Sequence, residues 1–116
     1  MLPVTDSYGR SFKTLRVSLL SRCNLGCVYC TLGKSAEAPS RAGDPELTLS
    51  DLIEIIRRLH TVLRLEAIRF TGGEPLLFRH LATVIGAVKE MGIPEIKMTT
   101  NGFLLSRMAE ELKEAG

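Results

Sequence analysis

Cys23, Cys27 and Cys30 fall within eight residues, in the run Arg22-Cys23-Asn24-Leu25-Gly26-Cys27-Val28-Tyr29-Cys30, and the chain has no other cysteine. Thiolates are soft ligands that suit iron–sulfur clusters and zinc. A cubane 4Fe–4S cluster is ordinarily closed by four cysteines, so a three-thiolate set leaves one iron free to bind another molecule. Gly26 gives the loop the backbone freedom to bring three sulfurs round one centre. Structural zinc fits less well, because it takes four closed ligands, usually from two separated pairs. Here there is a single C-x2-C pair, and His60 and His80 lie far along the chain. A disulfide framework spreads an even number of cysteines through a small secreted chain, which this clustering does not do. Inert buried cysteines are common singly but not at a fixed short spacing.

Two further runs carry chemistry. In Thr71-Gly72-Gly73-Glu74-Pro75 the glycines allow close approach of backbone to a ligand, leaving amides and carbonyls exposed. Carbonyls at a strand end can accept from a cationic amino group, Glu74 adds a carboxyl group, and Pro75 fixes the turn. Standing alone, such a Gly-Gly is as readily a tight connection. Thr99-Thr100-Asn101-Gly102 offers short polar groups, although Asn-Gly is also a common turn.

Alternating elements would position these runs. Residues 14–20 read as a strand leading straight into the cysteines. Residues 31–46 are rich in Gly, Ser, Ala and Pro, without a period, and read as a long exposed loop. A capping box at Thr48 and Asp51, with a staple between Leu47 and Leu52, predicts a helix start. Leu49, Leu52, Ile53, Ile56, Leu59 and Leu63 then recur at helical spacing, with Glu54, Arg57 and Arg58 outward and His60 a partly exposed helix residue. Residues 66–71 read as a second strand. A helix is expected from about Phe78 to Met91, with Leu81, Val84, Ile85 and Val88 inward, ended by Gly92 and Pro94. A strand over 96–99 and a helix over 104–115 complete the alternation. This order predicts an α/β fold with three parallel strands and right-handed crossovers. All three runs then lie on one edge, at the carboxyl ends of the strands.

The 116-residue chain is enough for one small domain. Its net charge of +2 gives no argument for nucleic acid or a membrane surface. No apolar run approaches the roughly 20 residues that span a bilayer, and no signal-peptide pattern opens the chain. Free thiolates for a metal centre point to a reducing compartment, the cytoplasm.

The cysteine loop resembles that of the radical S-adenosylmethionine (SAM) superfamily, and Thr71-Gly72-Gly73-Glu74-Pro75 resembles its GGEP motif. The resemblance implies that Cys23, Cys27 and Cys30 each bind one iron of a 4Fe–4S cluster, with SAM chelating the fourth and being cleaved to a 5′-deoxyadenosyl radical. It places Tyr29 beside the adenine; the ring could equally pack on the barrel mouth. It has Thr71, Gly72, Gly73 and Glu74 line the SAM pocket, and sets Thr100 towards the ribose and methionine. Asp6-Ser7-Tyr8-Gly9-Arg10, Leu15-Arg16-Val17-Ser18, Ile68-Arg69-Phe70-Thr71 and Thr99-Thr100-Asn101-Gly102 are similar to the N-terminal part of the MoaA family, the GTP 3′,8-cyclases of molybdenum-cofactor biosynthesis.

By that resemblance Arg16 and Arg69 hold the GTP triphosphate, a task suited to forked, permanently charged guanidinium groups. Their other reading is a pair of ordinary salt bridges. The sequence departs from the family at Ala67, where a phosphate-contacting lysine is usual, at Thr31-Leu32, usually Met-Pro, and at Ser21, usually aspartate. These departures leave a radical SAM enzyme acting on another substrate, such as a peptide, as the alternative. A non-catalytic iron–sulfur module is a second alternative, against which the open ligand count argues. The family's barrel has six βα units, so residues 1–116 are expected to form the N-terminal portion, about half of a partial (β/α)6 TIM-like barrel. The later strands and a C-terminal cluster domain are then missing, and the chain is expected to be a fragment or half of an assembly. An electron donor such as flavodoxin or ferredoxin is implied, and self-association through an open sheet edge is expected of such a piece.

Overall fold

The computed structural model describes residues 4–20 and 47–116. Cys23, Cys27, Tyr29, Cys30 and the expected loop over 31–46 lie outside the described residues. Three strands, β1 (Thr14–Ser18), β2 (Ala67–Thr71) and β3 (Glu95–Met98), alternate with three helices, α1 (Leu49–Leu63), α2 (Leu81–Glu90) and α3 (Leu105–Ala115). The sheet order is β1-β2-β3 and both pairings are parallel. The expected α/β class and strand direction are therefore observed.

The strands have two unlike faces, because side chains alternate along a strand. Leu15 and Val17, Ile68 and Phe70, and Ile96 and Met98 turn to the helix side and join one core with Ile56 of α1 and Leu81, Val84, Ile85 and Val88 of α2. Phe70, Ile68, Val84 and Val88 have no accessible surface. Burying each side chain of this class contributes about 1.5–3 kcal/mol. The opposite face carries Thr14, Arg16 and Ser18, then Ala67, Arg69 and Thr71, then Glu95 and Lys97.

Local signals set the helix ends. Thr48 Oγ1 accepts from the Asp51 backbone N–H, and Asp51 accepts in return from the Thr48 N–H, which closes the capping box. Leu47, the outer half of the expected staple, stays 65% exposed. α1 ends on Arg64 in the left-handed region, at φ 51°. α2 begins at Leu81, later than expected, because Pro75–Leu77 forms a 3-10 turn and Phe78 is extended. Gly92, at φ 83°, takes the left-handed position just beyond α2.

Candidate functional site

The carboxyl end of β1 runs alongside that of β2. The Leu19 N–H donates to the Thr71 carbonyl (3.0 Å), and the Gly73 N–H donates to the Leu20 carbonyl (2.8 Å). Gly72 sits in this seam with φ 147°, and a Cβ there would lie 2.6 Å from the Leu20 carbonyl oxygen. Only glycine fits so close an approach. The close approach expected of Gly72 is thus made to the backbone just beyond β1. Its result is to hold Leu20, three residues before Cys23 in the sequence, against the Gly72-Gly73 turn.

Glu74 ties the second strand end to the third. It is 1% exposed. Its Oε1 accepts from the Leu76 N–H (3.1 Å) and from the Thr100 hydroxyl (2.5 Å), and its Oε2 accepts from the Asn101 N–H (2.7 Å). Both oxygens are therefore engaged within the protein, as a buried carboxyl group requires. The Thr100 hydroxyl also accepts from the Gly102 N–H (3.1 Å), and Asn101 Oδ1 accepts from the Phe103 N–H (2.9 Å), which shapes the turn after β3. Thr71, Gly72, Gly73, Glu74 and Thr100 are thus brought together at one edge. Glu74 and Thr100 serve there to fix the edge from within.

Below that edge, Arg16 and Arg69 are direct register partners on the helix-free face. Neighbouring strands lie about 4.8 Å apart. No carboxylate pairs with either arginine among the described residues; the one hydrogen bond of this pair runs from Arg69 Nη1 to Thr99 Oγ1 (3.2 Å), towards the carboxyl end of β3. The salt-bridge alternative is therefore not what these residues adopt with their described neighbours. Like charges facing each other across a strand pair are unfavourable, and an anion placed between them relieves that cost. Sequence reasoning passed over Lys97, which is the register partner of Arg69 on β3. Its signal was present in the strand parity of Ile96-Lys97-Met98. It also gave Asp6 no structural role. Asp6 Oδ1 accepts from the Tyr8 and Arg10 N–H groups, closing a turn within the Thr5–Ser11 bridge. These bonds, led by that from the Arg10 N–H, hold its carboxyl below the usual value of 3.8.

No cluster of His, Cys, Asp or Glu among the described residues could hold a metal ion; the three cysteines expected to do so lie outside those residues. Their number and softness fit an iron–sulfur cluster with one open position. The fixed strand edge beside Leu20, with its strand-end backbone, fits a polar cofactor next to such a cluster.

Comparison with known proteins gives consistent results. The chain is 44% identical over 115 residues to a GTP 3′,8-cyclase of Mycolicibacterium smegmatis, covering 98% of this chain and 31% of that protein. It is 37% identical over 111 residues to a probable GTP 3′,8-cyclase of Sulfolobus acidocaldarius, covering 96% of this chain and 34% of that protein. The chain thus spans about a third of the length of the curated relatives it matches. Its fold is similar to that in the crystal structure of BtrN in complex with AdoMet and 2-DOIA, with a TM-score of 0.69 and 27% identity over 92% of this chain and 43% of that one. Residues 17–116 match the radical SAM superfamily. The parallel strands, the glycine seam and the sequence match lead to one assignment: this chain belongs to the radical SAM superfamily.

Proposed function

We propose that the chain supplies the SAM-binding edge and part of the triphosphate site of a GTP 3′,8-cyclase of molybdenum-cofactor biosynthesis. The observation that carries this reading is the register pairing of Arg16 with Arg69 on the helix-free face, just below the motif-bearing strand ends. Two guanidinium forks without carboxylate partners among the described residues make a site for phosphate oxygens. The GTP 3′,8-cyclase name of the relatives supports GTP as the nucleotide.

Cys23, Cys27 and Cys30 would hold the cluster. When bound, the 4Fe–4S group supplies one-electron reducing power and an open iron position, with which the superfamily turns SAM into a 5′-deoxyadenosyl radical. The residues of the chain do the rest by placement. The Gly72-Gly73 turn would present backbone to the methionyl end of SAM, and Tyr29 would serve its adenine. Thr71 belongs to the same lining, while Glu74 and Thr100 keep the second and third strand ends in fixed relation. Arg16 and Arg69 hold the triphosphate, so that the ribose is directed to the strand ends.

A protein electron donor such as flavodoxin or ferredoxin completes the reaction, in a reducing compartment such as the cytoplasm. The isolated chain is expected to self-associate through the outer edges of β1 and β3, which are unpaired among the described residues. A radical SAM enzyme with a different substrate is the second reading, favoured by the methyl group of Ala67 on the phosphate face. The complete protein, given reductant, SAM and a panel of nucleotides, is expected to form 5′-deoxyadenosine together with a cyclised purine product from GTP. Formation of 5′-deoxyadenosine without GTP consumption overturns the cyclase reading. Retention of full iron content by each single cysteine-to-alanine variant overturns the cluster reading.

A further inference from the structure

We propose that Lys97 is a third cation of the triphosphate site, an assignment that rests on the triphosphate reading of Arg16 and Arg69. The register sets Arg16 opposite Arg69 and Arg69 opposite Lys97, in one row across all three strands. Strand parity puts all three side chains on the helix-free face. With strands about 4.8 Å apart, the row presents three cations to one chain of phosphates.

The surroundings of Lys97 suit this role. It lines a recess of about 380 Å³ with Thr14, Glu66, Ala67, Pro94 and Glu95, at the amino-terminal ends of the strands beside the cation row. Lys97 itself is exposed on β3, so its flexible four-carbon stem is free to turn towards Arg69. Its partner among the described residues is Glu95 on the same strand, at 3.0 Å, with side-chain exposures of 44% and 61%. An ion pair this exposed is weak and yields to a phosphate, which carries more charge and more acceptor oxygens. Glu95 therefore acts as a resting partner that competes with the nucleotide. An edge-strand lysine can also serve only to discourage strand pairing. That role would not depend on the phosphate count of a ligand.

The test is calorimetric titration of the complete protein with GTP and with guanosine monophosphate. It compares the native sequence with Lys97→Ala, Glu95→Gln and Arg69→Ala. Loss of a charge-assisted bond to phosphate predicts that Lys97→Ala weakens GTP binding by about tenfold or more, with a much smaller effect on the monophosphate. Glu95→Gln, which frees the lysine, is expected to tighten GTP binding, a gain that misfolding cannot produce. If Lys97→Ala binds GTP as tightly as the native protein while Arg69→Ala does not, Lys97 has no part in the site and the triphosphate reading stands. If both variants bind GTP unchanged, the proposal and the triphosphate reading fall together.

Discussion

Removing the Glu74 carboxyl group is expected to unfasten two strand ends at once. In Glu74→Ala the Leu76 N–H, the Asn101 N–H and the Thr100 hydroxyl all lose their acceptor. A buried group left unpaired costs about 1–3 kcal/mol. Leu76 is 3% exposed and bears the full penalty, whereas the bonds to Thr100 and Asn101 are part-buried and recover some of it from water. Together the three losses come to about 3–5 kcal/mol, a large share of the roughly 5–15 kcal/mol that holds a domain folded. Glu74→Gln keeps an acceptor for Leu76 and Thr100 but turns an NH2 group against the Asn101 N–H, for a cost of about 1–3 kcal/mol. Urea denaturation of the complete protein, carried out for Glu74→Ala, Thr100→Val and the double variant, measures both the cost and its origin. A coupling energy of about 1 kcal/mol or more between the two sites is expected, as for residues sharing one network. A loss below about 1 kcal/mol for Glu74→Ala, or additivity within about 0.5 kcal/mol, would refute the view that Glu74 joins the two strand ends.

Gly72→Ala is expected to destabilise by about 2–4 kcal/mol, because its Cβ meets the Leu20 carbonyl at 2.6 Å in a backbone region that suits only glycine; an unfolding midpoint equal to that of the native protein would remove the seam from the account. Phe70→Ala, which empties a fully buried core position, is expected to cost about 3–5 kcal/mol, and Phe70→Leu under about 1.5 kcal/mol, in thermal or urea unfolding. Hydrogen bonds from Arg58, and then from Arg57, hold the Glu54 carboxyl below its ordinary 4.5. A lowered folded-state value means that the contribution of these pairs is fully present above 4.5 and is lost as pH falls through the lower folded value. Carbon-detected NMR titration is expected to show that low midpoint and its rise in Arg58→Ala, and an unchanged midpoint would count against the pairing.

The strand–helix alternation was readable because each element carries an unmixed period. Leu81, Val84, Ile85 and Val88 of α2 are all buried, and the capping box at Thr48 starts α1 where the pattern places it. The failures are local. The start of α2 was set too early, because the apolar run through Leu76, Leu77 and Phe78 continues the helical pattern across a 3-10 turn that Pro75 and the Glu74 cap impose. Leu47, expected to staple the start of α1, remains mostly exposed, because a hydrophobic residue before a cap needs something further to cover it. At the site, the glycines and threonines were picked out as groups facing a ligand. Their hydrogen bonds also join one strand end to the next, a second role that only the register reveals. Lys97 was missed for the same reason: a lysine alternating with apolar residues reads as an outward polar position until the neighbouring strand shows what lies beside it.

The sequential order β1-β2-β3 also bears on how the protein is made. Among the described residues β1 pairs only with β2, and the cysteines are translated before β2 exists. About 40 residues separate Cys30 from Thr71. At roughly 5–20 residues per second, the ribosome takes about 2–8 seconds to deliver the strand that fixes Leu20 in place. During that interval three closely spaced thiols travel on a nascent chain with no sheet to hold the loop that bears them. They are then open to oxidation and to capture of zinc, which thiolates bind well. If the cysteines hold the proposed cluster, its loading belongs after synthesis of β2, and the order of strands in the sheet makes metal selection partly a matter of timing in translation.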